Sequence, residues 1–538
     1  MTAPRPTSTS AGPPGGPGPA WERPGARTGA EAALVLGLGD SGLAMARWLA
    51  RSGEAVRVWD SRVAPPQAAA LAEHVPTAPV LSAPLDEAAL AGITRVLKSP
   101  GLSPADDRIA ALLAAAHAAN IPVQGELDLF VEALDTLRRE HDYAPKIVAI
   151  TGTNGKTTTT AMTALLIEAS GKRVAAAGNI GPTMLQTLAD AIDDGSTIAL
   201  RERLPDVWVL ELSSFQLAGC TSFEPDAATV LNLTEDHLDW HGSLAAYGEA
   251  KAHVFGSCAV IVFNRDDAAS AALVPAPQSV PVKKGRAPKW IARQTVSFGA
   301  HAPQRPGDFG IATVNGMAWL ARARDDGEDR DPDAAPALQL LMPADALRVR
   351  GRHNALNALA ALGLAGAIGC PLAAMLHALR EYRGEPHRVE HVASVNGVDA
   401  FDDSKGTNVG ATVAALDGLG AERAPAKLVV ILGGDGKRQD FAPLAEPLRR
   451  HARAVITIGR DAEKIEVAIE SAGISFERAA SLEAAVELAF ERAQGGDAVL
   501  LSPACASFDM FRNYRHRAEV FVAAVQARAD SHANEAVA

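Results

Sequence analysis

The stretch that decides the fold is residues 146–158, which read KIVAITGTNGKTT. It opens with an apolar run of strand length, continues through a loop with two glycines, and ends in Gly-Lys-Thr before a helical pattern. Glycine lets backbone N–H groups close around phosphate oxygens, and the N-terminus of the following helix attracts negative charge. The stretch therefore predicts a strand, a phosphate-binding loop and a helix.

The side chains of this loop suggest individual contacts to a nucleotide. Lys156 is predicted to reach the β- and γ-phosphates, and the Thr157 hydroxyl to ligate Mg²⁺. The other loop residues predicted to bind the nucleotide are Gly152, Thr153, Asn154, Gly155 and Thr158. The loop is not a full Walker A motif, because Ile150 stands where the first glycine of that pattern belongs. The alternative is a glycine turn that binds nothing.

Towards the N-terminus, a second glycine loop at 37–42 reads GLGDSG, and a following strand ends in Asp60. This pattern is typical of dinucleotide binding and favours NAD, although the same turn can hold another diphosphate or be purely structural. A third strand-end loop, KSPG at 98–101, is placed to close over the nucleotide.

Towards the C-terminus, polar groups follow apolar runs of the middle region. Glu211 ends the run VWVLE, and a carboxylate beside a phosphate loop suits Mg²⁺. His237 and His241 have the i, i+4 spacing of a zinc pair, but no third ligand follows. Lys251 lies on a predicted helix opened by Ser243, where a surface lysine is the ordinary interpretation.

Further downstream, Asn354 and Asn357 share a face of an Ala-rich helix, where they would contact a base edge or cap the helix. Arg388 offers a bidentate phosphate contact. The loops FDDSKGTN at 401–408 and GGDGK at 433–437 also follow apolar runs. Open α/β sheets bind ligands at such strand ends.

Length and composition restrict the class of protein. A chain of 538 residues with alternating strand and helix patterns predicts an α/β protein of three domains, at 31–144, 145–384 and 385–538. Residues 1–30 are predicted to be a disordered tail, and 325–335 a surface insertion. The net charge of −12 argues against nucleic acid or an anionic membrane as main partner. Four scattered cysteines and no long apolar run predict a cytoplasmic protein without disulfides or a membrane span.

These elements, in this order, resemble the Mur ligase family over nearly all of the chain beyond residue 30. The loop at 152–158, Glu211, the segments 232–241, 247–251 and 351–357 are similar to its ATP-binding core. The loops at 37–42, 178–181, 403–408 and 502–509 are similar to the branch that adds D-glutamate, except that Gly406 stands where alanine is common there. The resemblance implies Rossmann-like N- and C-terminal domains around a central P-loop ATPase-like domain, each a mostly parallel sheet flanked by helices.

The resemblance also implies roles for individual residues. Catalysis would involve Lys156, Asn179, His237 and Lys251, and two Mg²⁺ ions would be held by Thr157, Glu211, His237 and a carbamylated Lys251. ATP would further contact Asn354, Arg388 and Asp403. The UDP part would lie around Gly39, Ser41, Asp60, Ser61, Arg62, Ser99 and Gly101. D-Glutamate would be bound by Lys405, Thr407, Lys437, Ser507, Phe508 and Tyr514; the alternative for Lys405 is a structural role, with its ammonium held by Asp402 or Asp403.

The implied activity is ATP-dependent joining of D-glutamate to UDP-N-acetylmuramoyl-L-alanine by a monomer, through an acyl phosphate, in cell-wall precursor synthesis. Two other classes compete with it. An NAD-dependent oxidoreductase would use the loop at 37–42 and Asp60 but leaves the phosphate loop at 151–158 unexplained. A nucleotide-gated binding protein would bind ATP without substrate-dependent turnover. The resemblance therefore predicts ATP and Mg²⁺, and no NAD.

Overall fold

The computed structural model describes residues 31–82, 84–193, 198–220, 222–257, 259–280, 289–324, 336–349 and 351–537. The predicted tail at 1–30, the predicted insertion at 325–335 and Cys258 lie outside these residues. Contacts divide the chain into two compact units. The first comprises the described residues up to Glu132 together with Thr183–Leu204, and the second comprises Ala133–Pro182 and the chain from Pro205 onward.

The first unit is built on a five-stranded parallel sheet with strand order β3-β2-β1-β4-β5. Its central strand is completely apolar and buried on both faces, as expected where helices cover a parallel sheet. The strands are β1 (Ala32–Leu36), β2 (Ala55–Trp59), β3 (Val80–Leu81), β4 (Ile93–Lys98) and β5 (Val123–Gln124). The helices of this region are α1 (Asp40–Arg51), α2 (Ala68–His74), α3 (Ala110–Ala118) and α4 (Glu126–His141).

The second unit contains a six-stranded parallel sheet of order β13-β10-β9-β6-β8-β7, and two small antiparallel sheets, β11-β12 and β14-β15-β16. Its strands are β6 (Lys146–Thr151), β7 (Val174–Gly178), β8 (Val207–Glu211), β9 (Ala227–Val230), β10 (Val260–Asn264), β11 (Gln278–Val280), β12 (Lys289–Ile291), β13 (Thr295–Phe298), β14 (Phe309–Val314), β15 (Met317–Ala323) and β16 (Leu338–Pro343). The helices in this part of the second unit are α5 (Lys156–Ala169), α8 (Ser214–Leu217), α9 (Leu238–His241), α10 (Leu244–Ala252), α11 (Ala268–Ala271), α12 (Arg352–Ala367) and α13 (Leu372–Leu379). Helices α6 (Met184–Ile192) and α7 (Leu200–Arg203) belong to the first unit.

The second unit also contains a C-terminal six-stranded sheet of order β17-β18-β22-β19-β20-β21, in which only the edge strand β17 is antiparallel to its neighbour. Its strands are β17 (Glu390–Val395), β18 (Val398–Asp402), β19 (Leu428–Gly433), β20 (Ala452–Ile458), β21 (Ser475–Arg478) and β22 (Ala498–Leu501). The helices are α14 (Val409–Arg423), α15 (Ala445–His451), α16 (Ala462–Ile469), α17 (Leu482–Arg492) and α18 (Tyr514–Val537). Two apolar clusters cover the two faces of this sheet.

Three mostly parallel sheets flanked by helices confirm the predicted α/β class. The first helix begins at Asp40, directly after the N-cap residue Gly39, and an acidic residue is favourable in a first turn. Among the described residues, no helix has the length and apolar character needed to cross a membrane.

Candidate functional site

The carboxyl ends of three neighbouring strands meet beside the phosphate-type loop. Strand β6 lies between β8 and β9 and pairs in parallel with both. The loop at 152–155 follows β6, Glu211 ends β8, and Asn232 and His237 follow β9. Parallel pairing therefore brings together groups that are about 80 residues apart in sequence.

The loop backbone requires glycine at two positions. Gly152 has φ +147° and Gly155 has φ +81°, conformations that residues with a Cβ rarely adopt. A Cβ on Gly155 would also lie 2.6 Å from the Asn357 amide oxygen. Lys156 begins α5, and its Nζ donates to the carbonyl oxygens of Gly152 (2.9 Å) and Thr153 (2.8 Å).

Asn232 holds the loop in this shape. Its Oδ1 accepts the Asn154 N–H at 2.8 Å, while its Nδ2 donates to the Asn154 carbonyl at 3.0 Å. Thr153 Oγ1 donates to the Thr234 carbonyl and accepts the Thr234 N–H. A loop anchored in this way keeps its shape when a ligand binds, so that little reorganisation is needed.

Glu211 provides an oxygen suited to a divalent cation. The residue is 1% exposed, and its Oε1 accepts a 2.7 Å hydrogen bond from Asn179 Nδ2. Its Oε2 is buried and makes no hydrogen bond within the described part of the chain. A buried carboxylate oxygen left without a donor beside a phosphate loop is the hard ligand that Mg²⁺ prefers. The residues present therefore fit this ion.

His237 lies at the same edge, in a left-handed conformation (φ +54°) directly before α9. Burial lowers the pKa of its imidazole to about 4, so the ring is neutral at pH 7, as a metal ligand must be. His241 Nε2 lies 2.9 Å from Ser214 Oγ. Within the described ranges, the one group of three potential His, Cys, Asp or Glu ligands is His387, Glu390 and Asp402, so the zinc alternative gains no third ligand.

Lys251 is not the surface lysine that its helix position would ordinarily suggest. It is 1% exposed, and its Nζ donates to the Gly152 carbonyl at 2.9 Å. The same nitrogen lies 4.4 Å from the centre of the Tyr247 ring. Burial lowers the pKa of this amine well below its usual value, which favours the neutral form.

Three groups from the C-terminal part of the second unit contact the phosphate loop and its surroundings. Arg388 Nη2 donates to Thr157 Oγ1 at 2.7 Å, and Asn408 Nδ2 donates to Asn154 Oδ1 at 2.9 Å. Lys437 Nζ lies 3.4 Å from Asp236 Oδ1, beside His237. Of these residues, Thr157, Asn154 and Arg388 were predicted to bind ATP and Lys437 to bind D-glutamate, whereas Asn408 and Asp236 had no predicted role.

Other residues expected at the nucleotide take internal partners. Asn357 Nδ2 donates to Asn354 Oδ1 at 3.3 Å, as their shared helix face predicted. Asp403 accepts a 2.6 Å hydrogen bond from Ser502 Oγ, and burial raises the pKa of its carboxyl to about 7. A Cβ at Gly406 would lie 2.5 Å from Asp403 Oδ2, so this glycine leaves room for that carboxylate.

The candidate D-glutamate residues lie in the loops after β18, β22 and β19, which are neighbours in the C-terminal sheet, except for Tyr514, which begins α18. The Lys405 ammonium lies 4.1 Å from the centre of the Tyr514 ring. Asp402 and Asp403, the alternative partners of this ammonium, accept hydrogen bonds from the Ser404 N–H and from Ser502 Oγ, respectively. Thr407 N–H donates to the Lys405 carbonyl, Ser507 is buried, and Phe508 is 74% exposed.

Sequence patterns missed Arg517, which joins two of these loops. It is fully buried, and its guanidinium donates to the carbonyl oxygens of Ser404 (2.9 Å) and Cys505 (3.1 Å). Burial lowers its pKa to about 10. Its place on the amphipathic pattern of α18 offered no signal, because an arginine there is ordinarily solvated.

In the first unit, the residues predicted around UDP follow β1, β2 and β4, again three adjacent strands. Asp60 accepts from the Leu38 N–H at 2.7 Å and from Arg62 at 2.7–2.9 Å. Burial opposes ionisation of Asp60, but these hydrogen bonds outweigh it and lower its pKa to about 2.

The remaining predicted UDP residues surround the same strand ends. Ser99 Oγ donates to the Gly37 carbonyl at 3.0 Å, and Arg108 donates to Ser61 Oγ at 2.8 Å. Gly39 is the N-cap residue of α1, and a Cβ added at Gly101 would meet no heavy atom within 4 Å. Ser41 forms a hydrogen bond with the Glu126 carboxyl group. Burial raises the pKa of Glu126.

Comparison with known proteins shows which proteins this chain is similar to. Family models match in three regions: the Mur ligase MurD-like N-terminal domain at 31–125, the Mur ligase middle domain at 150–294, and the Mur ligase glutamate ligase domain at 387–505. The UDP-N-acetylmuramoylalanine--D-glutamate ligase of Albidiferax ferrireducens is 56% identical over 498 residues, which cover 91% of this chain and 95% of that protein. The protein of the same name from Paraburkholderia phymatum is 54% identical and covers 92% and 95%.

Solved structures show a similar fold at low identity. The UDP-N-acetylmuramate-alanine ligase of Thermotoga maritima has a TM-score of 0.54 and 20% identity, covering 92% of this chain and 99% of that one. A MurF ligase of the same organism, in complex with ADP, has a TM-score of 0.51 and 18% identity, covering 82% and 92%. With relatives more than half identical along nearly the whole of both chains, this chain belongs to the Mur ligase family.

Proposed function

We propose that the chain is an ATP-dependent ligase that joins D-glutamate to the alanine carboxylate of UDP-N-acetylmuramoyl-L-alanine, with release of ADP and phosphate. The observation that carries this proposal is that Arg388 and Asn408 contact the phosphate loop, while Lys437 contacts Asp236 in the neighbouring loop after β9. Together, an ATPase-type loop and a loop with a cationic side chain for an amino acid suit a two-step reaction. ATP first activates a carboxylate, and the acyl group is then transferred to the amine of the amino acid.

In the first step, a carboxylate oxygen of the terminal alanine attacks the γ-phosphorus, and the bond from that phosphorus to the β-phosphate oxygen breaks. The products are an acyl phosphate and ADP. Protein groups contribute mainly position and charge in such a transfer. Two cationic side chains are available to offset the phosphate charge: Lys156 in the loop, and Arg388, which donates a hydrogen bond to Thr157.

Mg²⁺ would be held by Thr157 and Glu211, and a second ion by His237 and a carbamylated Lys251. When bound, the ions offset negative charge shared among phosphates and carboxylate. The carbamate needs the neutral lysine amine, and burial of Lys251 supplies that form. The unpartnered Oε2 of Glu211 supports the first ion, and the neutral imidazole of His237 supports the second.

In the second step, the D-glutamate amine, having lost a proton, attacks the acyl carbon, and the carbon–oxygen bond to phosphate breaks. Two carboxylates must be held while the amine approaches. Lys437 and Lys405 supply cationic groups, and Thr407 and Ser507 supply hydroxyl donors. Orientation of this kind can contribute roughly 7–11 kcal/mol to lowering the barrier.

The first unit would bind the UDP part of the acceptor. Its loop at 37–42 leads into the N-terminus of α1, which suits a diphosphate, and the loop at 98–101 follows the neighbouring strand β4. Asp60 would act by holding Arg62 and the Leu38 N–H in place. On this proposal the functional domains are 31–144 for UDP, 145–384 for ATP and 385–538 for the amino acid, in a monomer that works in the cytoplasm.

One assay tests the proposal against its competitors. ADP and phosphate release should require ATP, Mg²⁺, the UDP-muramoyl-alanine acceptor and D-glutamate together. Release without either of the last two would favour a nucleotide-gated binding protein. If the chain binds NADH tightly and UDP compounds do not displace it, an oxidoreductase would be favoured. Preference for L-alanine over D-glutamate would leave the ligase class intact and refute the substrate.

A further inference from the structure

Gln439 joins two of the three loops proposed to bind D-glutamate. Its Oε1 accepts the Val409 N–H at 3.0 Å, and its Nε2 donates to the Gly436 carbonyl at 3.0 Å. Gly436 directly precedes Lys437, and Val409 follows Thr407 by two residues. One half-buried side chain therefore connects the loop that holds Lys437 (433–437, the lysine loop) with the loop that holds Thr407 (401–408, the threonine loop).

We propose that Gln439 is a positioning residue that sets the separation of Lys437 from Thr407, and with it the selectivity for an amino acid bearing two carboxylates. The proposal rests on the proposed function, because it assigns the two loops to one amino-acid substrate. Gln439 itself need not touch that substrate.

Only one orientation of the Gln439 amide suits its surroundings. Val409 is the first residue of α14, and its N–H has no partner within the helix. The amide oxygen faces this donor, and the amide nitrogen faces a carbonyl oxygen. Turning the amide over would set donor against donor and acceptor against acceptor. The side chain is thus locked between the two loops.

The lysine loop needs this support because its backbone is strained. Lys437 has φ +48° and Arg438 has φ +63°, two consecutive non-glycine residues in the left-handed region. Such conformations persist only where the surroundings hold them. The Gly436 carbonyl receives both the backbone N–H (2.9 Å) and the side-chain Nε2 of Gln439, which closes the turn around Lys437.

The threonine loop is fixed on its other side by Asn408. Its Oδ1 caps α14 by accepting the Ala411 N–H at 2.9 Å, while its Nδ2 reaches Asn154 in the phosphate loop. With Asn408 and Val409 both anchored, Thr407 has little freedom. Loss of the Gln439 bridge would free the lysine loop relative to this anchored group.

The test compares Gln439→Leu with Asp440→Ala in the full-length chain. Asp440 makes a local hydrogen bond, accepting the Ala442 N–H at 2.9 Å, and this bond lies within one segment and does not connect the two loops. We expect Gln439→Leu to raise the KM for D-glutamate about tenfold and to change the KM for ATP and acceptor less than about twofold. Asp440→Ala should lose comparable stability and keep its KM for D-glutamate.

Two further readouts separate positioning from a merely structural role. In a Lys437→Ala background, Gln439→Leu should add less than about twofold to the KM for D-glutamate, because the group it positions is gone. The preference for D-glutamate over D-aspartate and D-2-aminoadipate should fall in Gln439→Leu. If that variant fails to fold, Gln439→Glu keeps the acceptor for Val409 and loses the donor, and its KM should rise in the same way.

An unchanged KM and unchanged selectivity in a folded Gln439 variant would overturn the inference while the ligase assignment stands. The inference would also be overturned if the fold-changes in the KM for D-glutamate caused by Gln439→Leu and Lys437→Ala multiply in the double variant. If the unaltered chain does not use D-glutamate, both the proposed function and this inference fail.

Discussion

Replacing Lys437 by alanine should damage stability and substrate binding for two separable reasons. Lys437 Nζ lies 3.4 Å from Asp236 Oδ1, and the two side chains are 19% and 8% exposed. Removing one partner of a buried pair leaves the other charge uncompensated, at about 3–5 kcal/mol in fully buried cases. Because Lys437 is about one-fifth exposed and water can partly replace it, we expect a loss of about 2 kcal/mol in unfolding free energy.

The loss in substrate binding has a different origin. A hydrogen bond to a charged group contributes about 1.5–3 kcal/mol, which corresponds to roughly 10- to 150-fold in KM for D-glutamate. The KM for ATP and for the acceptor should stay within about threefold, since Lys437 is assigned to the amino acid alone.

A second substitution separates these effects. Asp236→Asn in the Lys437→Ala background removes the unpaired buried charge and should restore most of the stability, while leaving the weak binding of D-glutamate. Stability is measured by urea unfolding followed by tryptophan fluorescence, and D-glutamate binding by calorimetry with the acceptor and a non-hydrolysable ATP analogue present. The reasoning is refuted if the double variant is less stable than Lys437→Ala, or if Lys437→Ala binds D-glutamate normally.

The pH dependence of the same variant gives an independent check. Burial raises the pKa of Asp236, but the positive charge of Lys437 and further interactions outweigh it and lower that pKa. A carboxyl whose folded pKa is depressed contributes stability above its unfolded pKa of about 3.9, and this contribution disappears as the pH falls through the folded value. The stability difference between native chain and variant should therefore be largest near neutral pH and shrink below about pH 4.

Three further substitutions address the other parts of the site. Lys156→Ala should lower ADP release at least about 10²–10³-fold with an unchanged circular dichroism spectrum, and turnover near normal would contradict the phosphate-loop assignment. Lys251→Ala should abolish turnover, with partial recovery in formate or acetate; ¹³C-bicarbonate NMR should detect a carbamate in the native chain, and finding none in a magnesium-loaded, active sample would argue against it. Asp60→Ala should release Arg62 and the Leu38 N–H and raise the KM for the acceptor about tenfold, leaving that for D-glutamate unchanged; equal rises in both would point to general misfolding instead.

Local patterns located the candidate loops correctly. Each of them follows an apolar run that forms a strand, as at Lys146–Thr151, Val207–Glu211 and Leu428–Gly433. Strand formation depends on nearby side chains, so the sequence carries this information within a few residues. The partners of the side chains within the loops did not follow from such patterns: Lys405 lies over Tyr514, and Lys251 is buried.

By itself, the sequence determined the α/β class, the phosphate loop after β6 and the position of polar groups at strand ends, because hydrophobic periodicity and glycine placement act over short distances. Only the tertiary structure decided which of those ends meet. Arg388 with Thr157, Asn408 with Asn154 and Lys437 with Asp236 are each separated by more than 200 residues. Such pairings depend on strand order and on the packing of whole sheets, and no local pattern of residues specifies either.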